Sequence, residues 1–187
     1  MAVKGTISYR ITKFTARMMA ATLATGIVVL YLAQPVMAWF IPGAVLVLLG
    51  EALRIWAAGH LKKNKQLTTT GPYAYVKNPL YLGTFLITLG GSAMARSVFI
   101  MLVGVTWLSL YYIPYKKRQE HRKLSESFGD TWLEYDRSVP AYIPRRTSYA
   151  GKGADGWSFS LVKENSEHET AAGVLLGSIV LLFMLVF

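Results

Sequence analysis

The sequence has no cysteine among its 187 residues and only three histidines. The absence of cysteine excludes disulfide bonds, thiolate metal sites and cysteine nucleophiles. The histidines, at positions 60, 121 and 168, are too scattered to indicate a metal site, so we expect none. Charged residues make up only 16% of the chain, whereas soluble domains carry about 25%. The composition therefore argues against an ordinary soluble domain.

Acidic residues are the scarcer charge, since 10 Asp and Glu stand against 20 Lys and Arg, for a formal net charge of +10. A strongly basic chain can indicate a nucleic-acid partner. Here, however, the basic residues lie in short segments that flank apolar blocks, which is where the positive-inside rule places them in membrane proteins. We therefore expect membrane lipid, and no nucleic acid, as a partner.

Long apolar runs are abundant, and 53% of the residues are hydrophobic. A helix needs about 20 apolar residues to cross a hydrocarbon core of roughly 30 Å. The pattern predicts an all-α integral membrane protein with about five transmembrane helices in one bundle. The third run is short and contains Gly90 and Gly91, which favours a tilted or inwardly packed helix. The five runs are 18–34, 38–58, 80–95, 97–114 and 171–187.

The basic clusters predict the topology of a multi-pass protein. Clusters within 4–17, 62–65 and 116–123 fall on one side of the bilayer if every run crosses it. The rule then places the N-terminus in the cytoplasm, together with the long polar segment 115–170, which we expect to be partly helical. The membrane would be the inner membrane of a bacterium or the endoplasmic reticulum of a eukaryote. The fourth run is expected to end at Pro114.

Two polar stretches are dense enough to hold a functional site. The first, 68–83, reads TTTGPYAYVKNPLYLG, and its prolines fix the backbone around three tyrosines. It is interpreted either as a ligand-binding loop or as an interfacial turn with an aromatic belt. The second, 115–144, begins as a helix that Gly129 is placed to end. Trp132 and Tyr135 continue an apolar stripe, so a short second helix is expected before Pro140.

Four charged residues stand out by their spacing. Lys116 and Glu120 lie one helical turn apart, either as a surface ion pair or as part of a site. Glu51 and Arg54 lie inside the second apolar run, where charges are costly and usually face a bundle interior or a cavity. They form either a mutual ion pair or part of a pocket.

Taken together, the two polar stretches resemble the signature of the isoprenylcysteine carboxyl methyltransferase and phospholipid methyltransferase superfamily. Its G-x-Y and R-H-P-x-Y-x-G elements are matched by Gly71-Pro72-Tyr73 and by the run from Lys77 to Gly83. The resemblance covers roughly residues 50–145. The later positions that match are Glu120, Leu124, Phe128-Gly129, Trp132, Tyr135, Val139-Pro140 and Ile143-Pro144.

The resemblance implies a small all-helical membrane methyltransferase that uses S-adenosylmethionine. Its cofactor pocket would open to the cytoplasm, and a lipid-like or amphiphilic acceptor would reach it from the bilayer. The chain would form one domain, 1–187, with a methyltransferase-like core at about 38–145. The additional polar segment and C-terminal helix, 146–187, fall outside that core. They are interpreted as a cover for a substrate entrance, as an assembly element or as an anchor, and of these we expect an anchor.

The resemblance also implies roles for individual residues. Glu120 corresponds to a cofactor-binding glutamate, and Lys116 stands where a substrate-positioning arginine is found, so this pair is assigned to catalysis. Lys116, Arg54 and Glu51 are the candidate substrate-binding residues. The candidate cofactor-binding residues are Gln66, Leu67, Thr68, Tyr73, Lys77, Asn78, Pro79, Leu80, Tyr81 and Glu120.

Several positions depart from the family pattern, and they leave the acceptor open. Lys77-Asn78 replaces Arg-His, His121 replaces a second glutamate, and Lys116 lacks the guanidinium fork that grips a carboxylate. Either a carboxyl oxygen or an amine nitrogen is then possible, with a mild preference for oxygen because an ionised carboxylate is already nucleophilic. The alternatives are an NADPH-dependent membrane reductase of the sterol-reductase type and a non-catalytic protein that retains the fold.

Overall fold

The structure is a computed structural model that describes residues 27–28, 31–63, 65–149 and 156–187. These residues form helices and connecting loops without a strand, which confirms the predicted all-α class. A 3-10 turn at Gly71–Ala74 and a π-helical segment at Leu108–Tyr112 complete the elements. The α-helices are α1 (Met37–Ala58), α2 (Pro79–Met94), α3 (Val98–Trp107), α4 (Ile113–Ser138), α5 (Phe159–Glu164) and α6 (Glu167–Val186).

Among the described residues, three helices are long and apolar enough to cross a membrane. They are α1, the continuous helical stretch Val98–Ser138, and α6. Helix α2 is apolar but shorter, in keeping with the predicted short third run. The chain is therefore a membrane protein. The predicted first run at 18–34 falls mostly outside the described residues, and the basic cluster within 4–17 falls wholly outside them.

The helix does not end at Pro114, so that prediction is wrong. It continues from α3 through the π-helical segment into α4, where Pro114 occupies the first turn. A proline inside a helix removes one backbone hydrogen bond and clashes with the carbonyl four residues earlier. The π-helical turn directly before α4 relieves both effects, because its backbone hydrogen bonds join residues five apart, whereas those of an α-helix join residues four apart.

Helix α4 has two parts, as predicted. Gly129 interrupts it with φ 49° and ψ −125°, a conformation that a residue with a side chain rarely adopts. The chain beyond Gly129 carries Trp132, Tyr135 and Val139 into a buried cluster. This cluster packs the second part of α4 against the loop between α1 and α2, through contacts with Leu67.

Helices α1 and α2 approach each other closely at two pairs of glycines. A Cβ atom built on Gly90 would lie 2.5 Å from the carbonyl oxygen of Gly43, and one on Gly50 would lie 2.7 Å from that of Gly83. The two glycines of each helix are seven residues apart, so they share one face. Small residues of this kind allow membrane helices to pack backbone against backbone.

The segment before α6 covers the end of α1. The backbone N–H of Ser158 donates to the carbonyl of Gly59 at 2.9 Å. The Asn165 side-chain amide donates to the carbonyls of Ala58 at 3.0 Å and Leu61 at 2.8 Å. The last carbonyls of a helix have no partner within the helix, so these contacts stabilise the end of α1 and hold α6 beside it.

The glycine contact predicts that alanine substitution lowers the melting temperature at position 90 but not at position 91. Gly90→Ala places a methyl group against the backbone of α1, and overpacking of this kind costs about 1–3 kcal/mol. Since about 2–4 °C accompanies each kcal/mol in a chain of this size, the melting temperature should fall by several degrees. Gly91→Ala is the control, because a Cβ there has no atom of the described chain within 4 Å. Equal melting temperatures for the two variants in the same detergent would contradict the close packing.

Candidate active site

Lys77 and Asn78 join the first polar stretch to the end of α4. The Lys77 ammonium donates to the Asp136 carboxylate at 2.6 Å and to the Asp136 carbonyl at 2.7 Å. The Asn78 amide donates to the Ala141 carbonyl at 3.0 Å, and the Lys77 backbone N–H donates to the Pro140 carbonyl at 2.9 Å. The residues that replace the family's Arg-His thus hold the two motif blocks together through their own polar atoms.

Tyrosines add a second set of links between the same blocks. The Tyr135 hydroxyl donates to the backbone carbonyl of Tyr73 at 2.8 Å. The backbone N–H of Tyr149 donates to the carbonyl of Ala74 at 2.9 Å, and the rings of Tyr135 and Tyr149 meet edge to face. The 3-10 turn that carries Tyr73 is therefore held in place by hydrogen bonds from α4 and from the loop that follows it.

Glu120 contacts the start of α2 directly. The buried Tyr81 hydroxyl donates to a Glu120 carboxylate oxygen at 2.7 Å, whereas the Glu120 side chain itself is exposed. Tyr112 packs the edge of its ring against Tyr81, with the centroids 6.1 Å apart. The structure thus brings together two predicted site residues that are 39 positions apart, and it leaves the carboxylate accessible.

The Tyr73 hydroxyl is buried without a hydrogen-bond partner among the described residues. The residue is only 7% exposed, and burial raises the pKa of the hydroxyl above its ordinary range. Tyr135 and the carboxylates of Glu120 and Glu167 raise that pKa further, and the Arg54 guanidinium opposes them. The hydroxyl therefore lies within electrostatic range of Glu120 and of the Arg54 and Glu167 pair.

Four of the five N–H donors of Arg54 have partners among the described residues. Its guanidinium makes a bidentate ion pair with Glu167, with N–O distances of 2.6 Å and 2.9 Å. The remaining nitrogen donates to the Thr84 hydroxyl at 2.6 Å and to the Leu80 carbonyl at 3.3 Å. Sequence reasoning missed Glu167, although this carboxylate directly precedes the last apolar run.

Glu51 has no ion-pair partner in the described part of the chain. Both of its carboxylate oxygens are buried and lack a hydrogen bond there, although Arg54 and Glu167 lie within electrostatic range. The predicted alternative of a mutual Glu51 and Arg54 ion pair is therefore wrong. A bidentate carboxylate matches the planar fork of a guanidinium best, and Glu167 occupies that position.

The other predicted residues surround this arrangement or lie outside it. Gln66 is half-buried in the loop, and Leu67 packs against the buried cluster of α4. The Thr68 hydroxyl accepts a hydrogen bond from the Lys62 backbone N–H at 3.2 Å, which shapes the loop. Pro79 is buried at the start of α2.

Lys116 and His121 lie near Glu120 along α4. Lys116 belongs to α4, one turn before Glu120, and its side chain lies outside the described part of the structure. The predicted Lys116 and Glu120 pair therefore stays a prediction. His121 is exposed and packs against the edge of Trp132, with the ring centroids 5.8 Å apart. Within the described ranges, no group of three His, Asp or Glu side chains is placed to hold a metal ion.

Comparison with known proteins finds a matching family model and several relatives. A family model described as phospholipid methyltransferase matches residues 38–131, or 94 of 187. The chain is 37% identical to the cobalt-zinc-cadmium resistance protein CzcN of Cupriavidus metallidurans, over 53% of this chain and 46% of that protein. It is 34% identical to the nickel-cobalt-cadmium resistance protein NccN of Alcaligenes xylosoxydans, over 49% of this chain and 43% of that protein.

A eukaryotic relative matches as well. The protein-S-isoprenylcysteine O-methyltransferase of Xenopus laevis is 32% identical, over 54% of this chain and 39% of that protein. The chain thus spans less than half the length of each of these three relatives. No solved structure matches it. Because the family model covers half of the sequence, including α1, α2 and Glu120, the chain belongs to the phospholipid methyltransferase family.

Proposed function

We propose that the chain is an S-adenosylmethionine-dependent membrane methyltransferase that acts on a hydrophobic or lipid-like acceptor. The observation that carries this proposal is the hydrogen bond between Tyr81 and Glu120, which joins the two family-like blocks. The Tyr73 hydroxyl, in the first of these blocks, is buried and has no partner among the described residues. Buried polar groups normally have hydrogen-bond partners, so a hydroxyl that lacks one is suited to bind a polar ligand.

The residues present fit the proposed cofactor. The exposed Glu120 carboxylate accepts hydrogen bonds, which suits the amine and hydroxyl groups of S-adenosylmethionine. The Tyr73 hydroxyl is a donor that suits the cofactor's carboxylate. We propose that Tyr81 orients Glu120, and that Lys77 and Asn78 act by holding the pocket walls. Gln66, Leu67, Thr68, Pro79 and Leu80 complete the proposed lining.

The proposed chemistry needs little more than positioning. S-adenosylmethionine supplies a methyl group on a positively charged sulfur, and the transfer is an in-line displacement. The chain contributes by holding donor and acceptor in line and by excluding water, effects that can supply several kcal/mol. We propose that Lys116 positions the acceptor from α4. In this arrangement the core is 38–145, the N-terminus is cytoplasmic, and the pocket opens to the cytoplasm.

The first test is cofactor binding by isothermal titration of the detergent-purified chain with S-adenosylmethionine and with NADPH. We expect S-adenosylmethionine to bind and NADPH not to bind. Glu120→Ala should weaken S-adenosylmethionine binding about tenfold or more, because hydrogen bonds to a charged group contribute about 1.5–3 kcal/mol. Glu126→Ala, which removes an exposed carboxylate from the same helix, is the control. Binding of NADPH alone would support a reductase, and binding of neither would support a non-catalytic protein.

A second test uses the unpartnered hydroxyl. Tyr73→Phe removes only the oxygen atom, which has no hydrogen bond to the described chain, so the melting temperature should not fall. The affinity for S-adenosylmethionine should fall severalfold if the hydroxyl contacts the cofactor. Tyr135→Phe is the contrasting variant, since its hydroxyl bonds to the Tyr73 carbonyl and its loss should lower the melting temperature. An unchanged affinity in Tyr73→Phe would remove Tyr73 from the proposed pocket.

A further inference from the structure

Residues 156–165, which we call the clamp, are attached to the end of α1 at several points. The Trp157 indole N–H donates to the Ile55 carbonyl at 3.3 Å. The indole also packs on Gly59 so closely that a Cβ atom at this glycine would collide with it. The clamp contains α5 and lies beyond residue 131, where the family match ends. Support for the end of α1 therefore comes from a part of the chain outside the matched region.

Asn165 is the side chain that joins the clamp to the residues after α1. Its amide donates both to the Ala58 carbonyl at 3.0 Å and to the Leu61 carbonyl at 2.8 Å. These carbonyls lie at or beyond the helix end, where the helix itself offers no donor. The next residue, Ser166, has a left-handed backbone, with φ 55° and ψ 26°. A residue with a side chain keeps such a conformation only where its surroundings fix it, so the chain around Asn165 is firmly held.

The stretch that Asn165 holds leads directly into the proposed cofactor-binding loop, residues 66–74. His60 belongs to that stretch and is only 8% exposed. Its ring packs against the loop backbone, since a Cβ atom built on Gly71 would lie 2.6 Å from the His60 Nδ1 atom. The Thr68 hydroxyl donates to the His60 carbonyl at 3.5 Å. His60 therefore contacts the loop at two of its positions.

The orientation of the His60 ring depends on the end of α1. Its Nδ1 atom lies 3.0 Å from the Trp56 carbonyl. A carbonyl can only accept a hydrogen bond, so Nδ1 carries the proton and donates. The ring is thus fixed to α1 on one side and packed against Gly71 on the other, and a displacement of the end of α1 would reach the loop through it.

We propose that the clamp positions the cofactor-binding loop, with Asn165 as the positioning residue and His60 as the contact through which it acts. The inference rests on the proposed function, because this loop is proposed to line the pocket for S-adenosylmethionine. A ligand binds more tightly to a loop that is already ordered, since less conformational entropy is lost on binding. In this arrangement the C-terminal segment, which the sequence favoured as an anchor, also sets the affinity of the cofactor site.

The experiment compares Asn165→Asp with the unmodified full chain in the same detergent. Aspartate keeps the size of the side chain but loses the N–H donors, so it releases both carbonyls. We expect the dissociation constant for S-adenosylmethionine, measured by isothermal titration, to rise about threefold or more, as for other residues that act through packed contacts. Hydrogen exchange of the backbone amides should become faster in residues 59–74 and stay unchanged in α3.

Two controls separate positioning from a general loss of stability. Leu181→Ala leaves a cavity in the buried cluster that α6 shares with α1 and α2, about four turns from the start of α6. It should lower the melting temperature without changing the cofactor affinity. Glu164→Ala breaks only the exposed ion pair with Lys65, and exposed pairs contribute little, so both quantities should stay unchanged. An affinity loss in Leu181→Ala as large as that in Asn165→Asp would overturn the positioning role.

A second variant keeps the test decisive if Asn165→Asp does not fold. Trp157→Phe keeps an aromatic ring on Gly59 and loses the indole N–H bond to the Ile55 carbonyl. Because Trp157 is exposed, this change should not prevent folding. The dissociation constant should then rise about twofold, and exchange in residues 59–74 should become faster. No change in either quantity would overturn the proposal.

Failure of this inference is distinguishable from failure of the proposed function. Binding of S-adenosylmethionine by the unmodified chain, with equal affinity in Asn165→Asp, would overturn the positioning role alone. Absence of binding by the unmodified chain would overturn the proposed function, and hydrogen exchange of the loop would then decide the positioning. Faster exchange in Asn165→Asp would support it, and equal exchange would overturn it.

Discussion

The close contact between α1 and α2 is the constraint on which the rest of the structure depends. At Gly43 and Gly90, and again at Gly50 and Gly83, only a hydrogen atom fits between one helix and the backbone of the other. This contact places the end of α1 beside the first turns of α2. Arg54 can therefore reach the Leu80 carbonyl and the Thr84 hydroxyl, and it presents its other edge to Glu167.

The polar interactions then form a continuous arrangement across the bundle. Arg54 connects α1 with α2 and α6, the Tyr81 and Glu120 hydrogen bond connects α2 with α4, and the Lys77 and Asp136 ion pair closes the loop at the end of α4. Most of these groups are partly or fully buried. Their hydrogen bonds are therefore harder to replace with water than those of a surface network would be. The Glu51 carboxylate, the Tyr73 hydroxyl and the Trp132 indole N–H are buried without a partner in the described chain, and the Tyr73 hydroxyl belongs to the proposed ligand-binding region.

Much of the fold could be predicted because its causes are local in sequence. The apolar runs near 38–58 and 171–187 correspond to α1 and α6, and Gly129 divides α4 because only glycine readily adopts its backbone conformation. Pro114 was interpreted wrongly, since the rule that proline ends a helix ignores a π-helical turn that accommodates it. The two motif blocks were also predicted to form one site, and they do meet at Tyr81 and Glu120.

The sequence by itself determined the helices, the membrane class and the family-like blocks, because periodicity, length and turn chemistry act over a few residues. Only the tertiary structure decided which charges pair. Spacing along α1 made Glu51 the natural partner of Arg54, yet Glu167 takes that place from 113 residues away and leaves Glu51 unpaired. Ion pairing depends on distance in space and on the geometry of the guanidinium fork, and a sequence pattern contains neither for helices that meet only after the bundle has packed.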